Sequence, residues 1–200
     1  VHQLLMDQSL NILVVSASKT RSDDFSTFTL RLIHEMEILH HLRPTDNQRQ
    51  SKISFDVGGA PASHAPSVKS LGITSQLTGS RADIIVLDDV EVANNSATQM
   101  MREKLSESVR EVDAILKPLD SSRVLFLGTP QTEDSLYSKI QERGYKTKIW
   151  PACHVTPAEN DKTYNGNIAP MCVSEKDKGR STEPLRFSDI DLAERKISYG

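Results

Sequence analysis

RADIIVLDDVE, residues 81–91, runs from a charged lead-in through four consecutive aliphatics, Ile84 to Leu87, and then crowds Asp88, Asp89 and Glu91 together. A short apolar run bounded by charge is the pattern of a strand buried on both faces, which is the habit of a parallel sheet. Like charges so close repel, so the end of this strand calls for a cation or for proton transfer. In an open α/β sheet, ligands gather at the carboxyl ends of the strands, where Asp88 falls.

Working outward, ILVVSA (12–17) and RVLFLG (123–128) repeat the buried-strand pattern. KISFDV (52–57) and SVKSLGIT (67–74) alternate as strands across the Gly- and Pro-containing loop GGAPASHAP. Between these runs the periodicity becomes helical. Phe25, Phe28, Leu32, Met36 and Leu39 mark one helix face, and Met101, Leu105, Ser108, Val112 and Leu116 another, the latter opening on a capping box of Ser96 and Gln99. Val1, Leu4 and Leu5 keep helical spacing, as in the tail of a helix. A short helix is expected over 133–143 and an edge strand over 145–151. Strands alternating with helices over short connections imply an α/β fold with a mainly parallel sheet. Beyond 153 the pattern gives way to polar, irregular sequence until Ser188 and Asp191 cap a last helix, with Ile190, Ala193 and Ile197 on one face.

The 24 Lys+Arg against 27 Asp+Glu leave a net charge of −3, so no overall basic field draws the chain to nucleic acid. Cys153 and Cys172 lack the spacing of a zinc or disulfide framework, which favours a reducing compartment. No apolar run approaches the ~20 residues of a membrane span. His34, His40 and His41 have no partners at ligand spacing.

The strand ends carry the candidate chemistry. An aspartate leaving a buried strand suits a Mg2+ that bridges nucleotide phosphates, and an adjacent acid suits orientation of an attacking water, which is the Walker B arrangement. The same residues would also serve as a turn that caps the following helix. Gly128, Thr129, Pro130 and Gln131 leave a second strand with neutral hydrogen-bonding groups able to sense a γ-phosphate, or with an ordinary Gly-Pro turn. Lys69 and Arg81 are isolated cations that suit either DNA contact or a solvated face, and Arg81 has Asp83 and Glu91 as possible partners.

Taken together, ILVVSASK, ISFDVG, HAPSVKSLGITSQLTGSRADIIVLDDVEVANNSATQMMREKL, LKPLDSSRVLFLGTPQTEDSLY and IWPA resemble the large terminase subunit of short-tailed bacteriophages. The likeness is dense over 11–152, thin over 153–182, and returns at EPLRFSDIDLAERKISYG. It implies a three-layer P-loop NTPase core of the additional-strand type. It also implies ATP hydrolysis with Mg2+, coupled to moving double-stranded DNA into a procapsid. Asp88 would hold the metal, Asp89 by position or Glu91 by reach would activate water, and Gly128, Thr129 and Gln131 would form the coupling segment. Arg81 would approach phosphates in its own or a neighbouring subunit of a ring. The implied partners are DNA, the portal and procapsid, and the small terminase subunit, in the host cytoplasm and without a membrane.

No GxxxxGK[ST] precedes ILVVSAS, so the phosphate loop is expected to be missing, Val1–Gln8 being a remnant of its helix. The expected organisation is an ATPase core fragment over 1–152, an irregular linker over 153–184 and the start of a helical segment over 185–200, with no nuclease domain and little activity in isolation. A DNA helicase or translocase with the same core, and a degenerate assembly module, are the alternatives.

Overall fold

The computed structural model describes residues 1–132 and 134–199. They divide into two compact units, 1–140 and 141–200, so the boundary expected at 152 falls inside the second.

The first unit is built on a six-stranded sheet. After a short helix α1 (His2–Met6) comes strand β1 (Ile12–Ser16), then helix α2 (Lys19–Glu35) and a 3-10 turn (Glu37–Leu42). The strands β2 (Gln50–Ser51), β3 (Ser54–Phe55), β4 (Val68–Gly72) and β5 (Ile84–Asp88) follow. Helices α3 (Ala93–Ser96) and α4 (Gln99–Ile115) lead to β6 (Arg123–Leu127) and α5 (Leu136–Glu142). The strand order is β2-β3-β4-β1-β5-β6. The four strands from β4 to β6 run parallel, and β2 and β3 add an antiparallel margin. The expected mainly parallel α/β sheet is therefore present, as a mixed one.

β1 and β5 lie inside the sheet, where Leu13, Val14, Val15, Ile85 and Leu87 are buried. The crossovers β1-to-β4 and β5-to-β6 step in opposite directions along the sheet. Right-handed connections therefore put α2 and α4 on opposite faces. α2 packs on β4 and β1. It buries Ser22, Ser26, Thr29 and Ile33, while Phe28 is 61% exposed and Phe25 40%. This overturns the expected aromatic face of the helix. Small hydroxyl side chains let α2 approach closely: a Cβ at Gly72 would lie 2.8 Å from the backbone N of Lys19.

α4 buries Leu105, Val109, Val112 and Ile115, so only part of its expected face is right, and Met101 is exposed. Its N-cap is Thr98, whose Oγ1 accepts from the Met101 amide, and not Ser96, whose hydroxyl donates to the Val92 carbonyl. β6 is also corrected. It is the outer strand, and its alternate residues Leu125 (43%) and Leu127 (54%) are exposed rather than buried.

The second unit holds α6 (Pro157–Tyr164), α7 (Asp189–Tyr199) and a small core of Ile168, Ala169 and Cys172, against which Ile149, Val155, Tyr164 and Val173 pack. The stretch read as irregular thus contains a helix, capped by a Thr156–Glu159 box with proline in its first turn. Within 145–151 only Ile149 bridges a strand-like partner, Ile168, so no edge strand forms there. The Ser188–Asp191 cap of α7 is present, but Ile190 and Ile197 face solvent and Leu192 is the buried residue. The short helix expected from 133 begins at Leu136, and Glu133 lies outside the described residues.

Candidate functional site

The parallel register brings the carboxyl ends of the strands into one row: Ser16 lies opposite both Gly72 and Asp88, and Asp88 lies opposite Leu127. Asp88–Asp89 and Gly128–Thr129 therefore leave adjacent strands side by side.

Asp88 is half-buried, and its carboxyl is raised above the ordinary carboxylate range, first by burial and then by the charge of Asp89, with Arg21 pulling the other way. A group in that condition gains from a nearby cation. Asp89 turns the chain sharply. Its φ of 46° is left-handed, a conformation that aspartate tolerates better than most residues and that recurs at functional turns. Its amide donates to the Leu127 carbonyl at 2.9 Å, tying the β5 exit to the β6 exit. Its carboxylate is half-exposed, with Arg21 Nη1 3.7 Å away. Arg21 comes from the first turn of α2, where its amide donates to the Ser18 cap. The geometry thus presents two carboxylates and one arginine to the solvent side of the strand ends.

Glu91 does not join them. It is 2% exposed, and its Oε2 accepts from the Ser135 hydroxyl (2.8 Å) and the Leu136 amide (2.9 Å) at the start of α5. Its Oε1 is buried with no hydrogen-bond partner among the described residues. It pins α5 to the chain just past β5, and its reach is directed inward.

Gly128 is also occupied from within. A Cβ there would fall 1.8 Å from Tyr137 Oη, and that hydroxyl donates to the Leu127 carbonyl at 3.2 Å. The close approach that glycine permits at this position is to Tyr137. Burial, followed by the charges of Asp89 and Glu91, pushes the Tyr137 phenol up to about 12. Thr129 and Gln131 are exposed, and the Gln131 amide donates to the Thr129 carbonyl at 3.1 Å, forming a local turn beside the acids.

Arg81 sits at the other end of β5. The span from Ile84 to Asp88 alone takes ~13 Å at the usual strand rise, and Arg81 precedes it by three residues. Its guanidinium donates to the carbonyls of Ser80 and Ala114. Arg81 cannot reach phosphates held by Asp88 of the same chain, and neither Asp83 nor Glu91 is its partner. Asp83 instead accepts from Lys117 Nζ at 2.8 Å.

Sequence reasoning missed Arg21 and Tyr137. Arg21 had a faint signal, a cation in the first turn of a helix that follows a strand end. Tyr137 had none, because its role depends on the path of the chain after Gly128. Among the described residues no group of three or more His, Cys, Asp or Glu is arranged to hold a metal. An ion at Asp88 would thus depend on one or two carboxylates together with phosphate and water oxygens, the usual manner of Mg2+.

No family model matches this sequence. The chain is 51% identical over 207 aligned positions to the large terminase subunit of Enterobacteria phage T3, in an alignment that takes in all of this chain and 35% of that protein. It therefore spans about a third of the relative's length. The alignment takes in 153–182, where the sequence resemblance is thin, as well as the dense stretch 11–152.

Proposed function

We propose that this relative of part of a large terminase subunit carries one half of the nucleotide site of a DNA-packaging motor. The observation that carries this reading is the juxtaposition of the acidic β5 exit and the Gly-Thr-Pro-Gln β6 exit on neighbouring parallel strands. Asp88, half-buried beside the charge of Asp89 at the end of β5, is the residue to hold the Mg2+ of bound ATP. The metal, when bound, offsets phosphate charge. Asp89, exposed and adjacent, is the acid placed to orient water and take its proton, whereas Glu91 acts as an anchor for α5. Arg21 tempers the paired charge of the two aspartates. Tyr137, seated on Gly128 and bonded to the end of β6, holds the turn that presents Thr129 and Gln131.

β6 ends the sheet among the described strands, and Leu125 and Leu127, half-exposed on one of its faces, suit a further packing layer over that face. The P-loop NTPase core, the nuclease, double-stranded DNA, the portal, the small subunit and the ring in the host cytoplasm all belong to this proposal. An Arg81 role in such a ring would be across subunits. No helix among the described residues is long and apolar enough to cross a membrane.

The test is a chimera in which this segment replaces its counterpart in the T3 protein. The parent chimera should hydrolyse ATP. Asp88→Asn should lower kcat at least ~1000-fold and Asp89→Asn ~100-fold, the range for loss of catalytic electrostatics and of an acid–base group. Glu91→Gln should mainly lower stability. Near-parental turnover by Asp88→Asn would overturn the assignment.

A further inference from the structure

At the amino ends of the strands, remote from the acids, a second site has the opposite charge. A cavity of about 280 Å³ is lined by Lys69, Arg81 and Lys117 together with His64, Ser80 and Asn11, and no carboxylate lines it among the described residues. Lys69 reaches it from β4, where its Nζ is 3.1 Å from Ser80 Oγ. Lys117 reaches it from the end of α4, held by Asn11 Oδ1 (2.7 Å) and, from behind, by Asp83 Oδ2 (2.8 Å). Asp83 is buried and also accepts from the Asn11 amide at 2.8 Å, so its charge is engaged on the inner side. Arg81 spends its contacts on two backbone carbonyls, which neutralise nothing.

Three cations thus line one concavity, and among the described residues only Lys117 has a carboxylate, that of Asp83, within ion-pair distance. The site is preorganised. The Asn11 side chain donates to the carbonyls of Ala65 and Pro66, which holds that part of the lining, and the Asp83–Asn11–Lys117 bonds hold the ammonium. Lys69 and Arg81, which no carboxylate among the described residues offsets, suit a compact anion with several acceptor oxygens. The cavity, at about 280 Å³, has room for such a group.

We infer that this cavity binds a phosphoryl group, in the form of a free phosphate or a terminal phosphate of a small molecule, at a site separate from the acidic strand ends. The alternative source of the same chemistry is a DNA phosphodiester, and the two are distinguished by experiment.

Inorganic phosphate is titrated into the full chain by isothermal calorimetry and by amide chemical shifts, with a 20-base-pair duplex titrated in parallel. Phosphate should shift the amides of Lys69, Ser80, Arg81 and Lys117. Lys69→Met and Arg81→Gln should each weaken phosphate binding by ~10-fold or more, as expected for losing a charge-assisted bond. Arg81→Lys should retain most of it, and Asp88→Asn should leave it unchanged, so this test stands or falls apart from the nucleotide assignment. Circular dichroism verifies that each variant is folded. Perturbation of the same amides by duplex at lower concentration than by phosphate, with a steep salt dependence, would move the assignment to the DNA backbone and overturn the small-molecule form. Phosphate binding that survives Lys69→Met and Arg81→Gln, or shifts centred elsewhere, would overturn the site itself.

Discussion

Removing the Asp83 carboxylate should be among the most damaging single changes in the sheet unit. Asp83 sits at the start of β5 with its side chain 8% exposed, and one oxygen, Oδ2, receives both the Asn11 amide and Lys117 Nζ at 2.8 Å. In Asp83→Ala the Asn11 amide, at the entry to β1, is left buried without its acceptor, a loss of ~1–3 kcal/mol. Lys117 contributes less. Its side chain is 30% exposed and it retains Asn11 Oδ1, so its share is discounted to ~1 kcal/mol for partial solvation. The total is ~2–4 kcal/mol. Urea unfolding followed by far-ultraviolet circular dichroism measures it as a fall in the midpoint at constant slope. A cycle with Lys117→Ala should give a coupling of ~1 kcal/mol, the share assigned to the ion pair, while the loss at the Asn11 amide persists in the absence of Lys117. A loss under ~0.5 kcal/mol, or purely additive effects, would refute the view that this triad ties β1 to β5.

Asp88→Asn should stabilise the chain at neutral pH by under ~1 kcal/mol, because half-burial leaves the carboxylate partly screened by solvent. The folded-state pKa of Asp88 is raised, so ionisation disfavours the fold as pH rises from the ordinary carboxylate value through the raised one. The gain should therefore vanish below that window, and a variant equally or more stabilised in acid would refute the sign. Gly128→Ala should destabilise by ~1–3 kcal/mol, as overpacking does, because the new Cβ collides with the Tyr137 ring. The added substitution Tyr137→Ala should remove that conflict, and a double variant showing the full sum of both losses would count against it. Tyr137 should titrate late, at about 12, in an ultraviolet pH titration, and Tyr137→Phe should delete that last step.

The inner strands were legible because both of their faces are buried, which leaves an unbroken aliphatic run in β1 and β5. The same logic misled at β6, where an equally apolar run is the sheet's outer strand. An apolar run reports what could be covered, and nothing in it says whether the covering segment is present. α2 was misread because its aromatic stripe obeys helical spacing, while the helix is held by Ser22, Ser26 and Thr29, whose small size sets how closely it sits on Gly72. α6 buries none of its residues, so it leaves no apolar periodicity, although its Thr-Pro-Ala-Glu opening carried the capping signal. At the site, the two acids and the Gly-Thr-Pro-Gln turn were readable as strand exits. That Glu91 points inward was not readable, because its partners lie 44 and 45 positions downstream.

On the proposed function, Asp88, flanked by Asp89 and the Gly128–Thr129 turn, is a cation site at the strand ends. Mn2+ titrated into the isotope-labelled chain tests it most directly through paramagnetic broadening of backbone amides. Broadening should appear first at Asp88, Asp89, Gly128 and Thr129 and should be lost in Asp88→Asn. Broadening that begins elsewhere, or that persists unchanged in that variant, would contradict the claim.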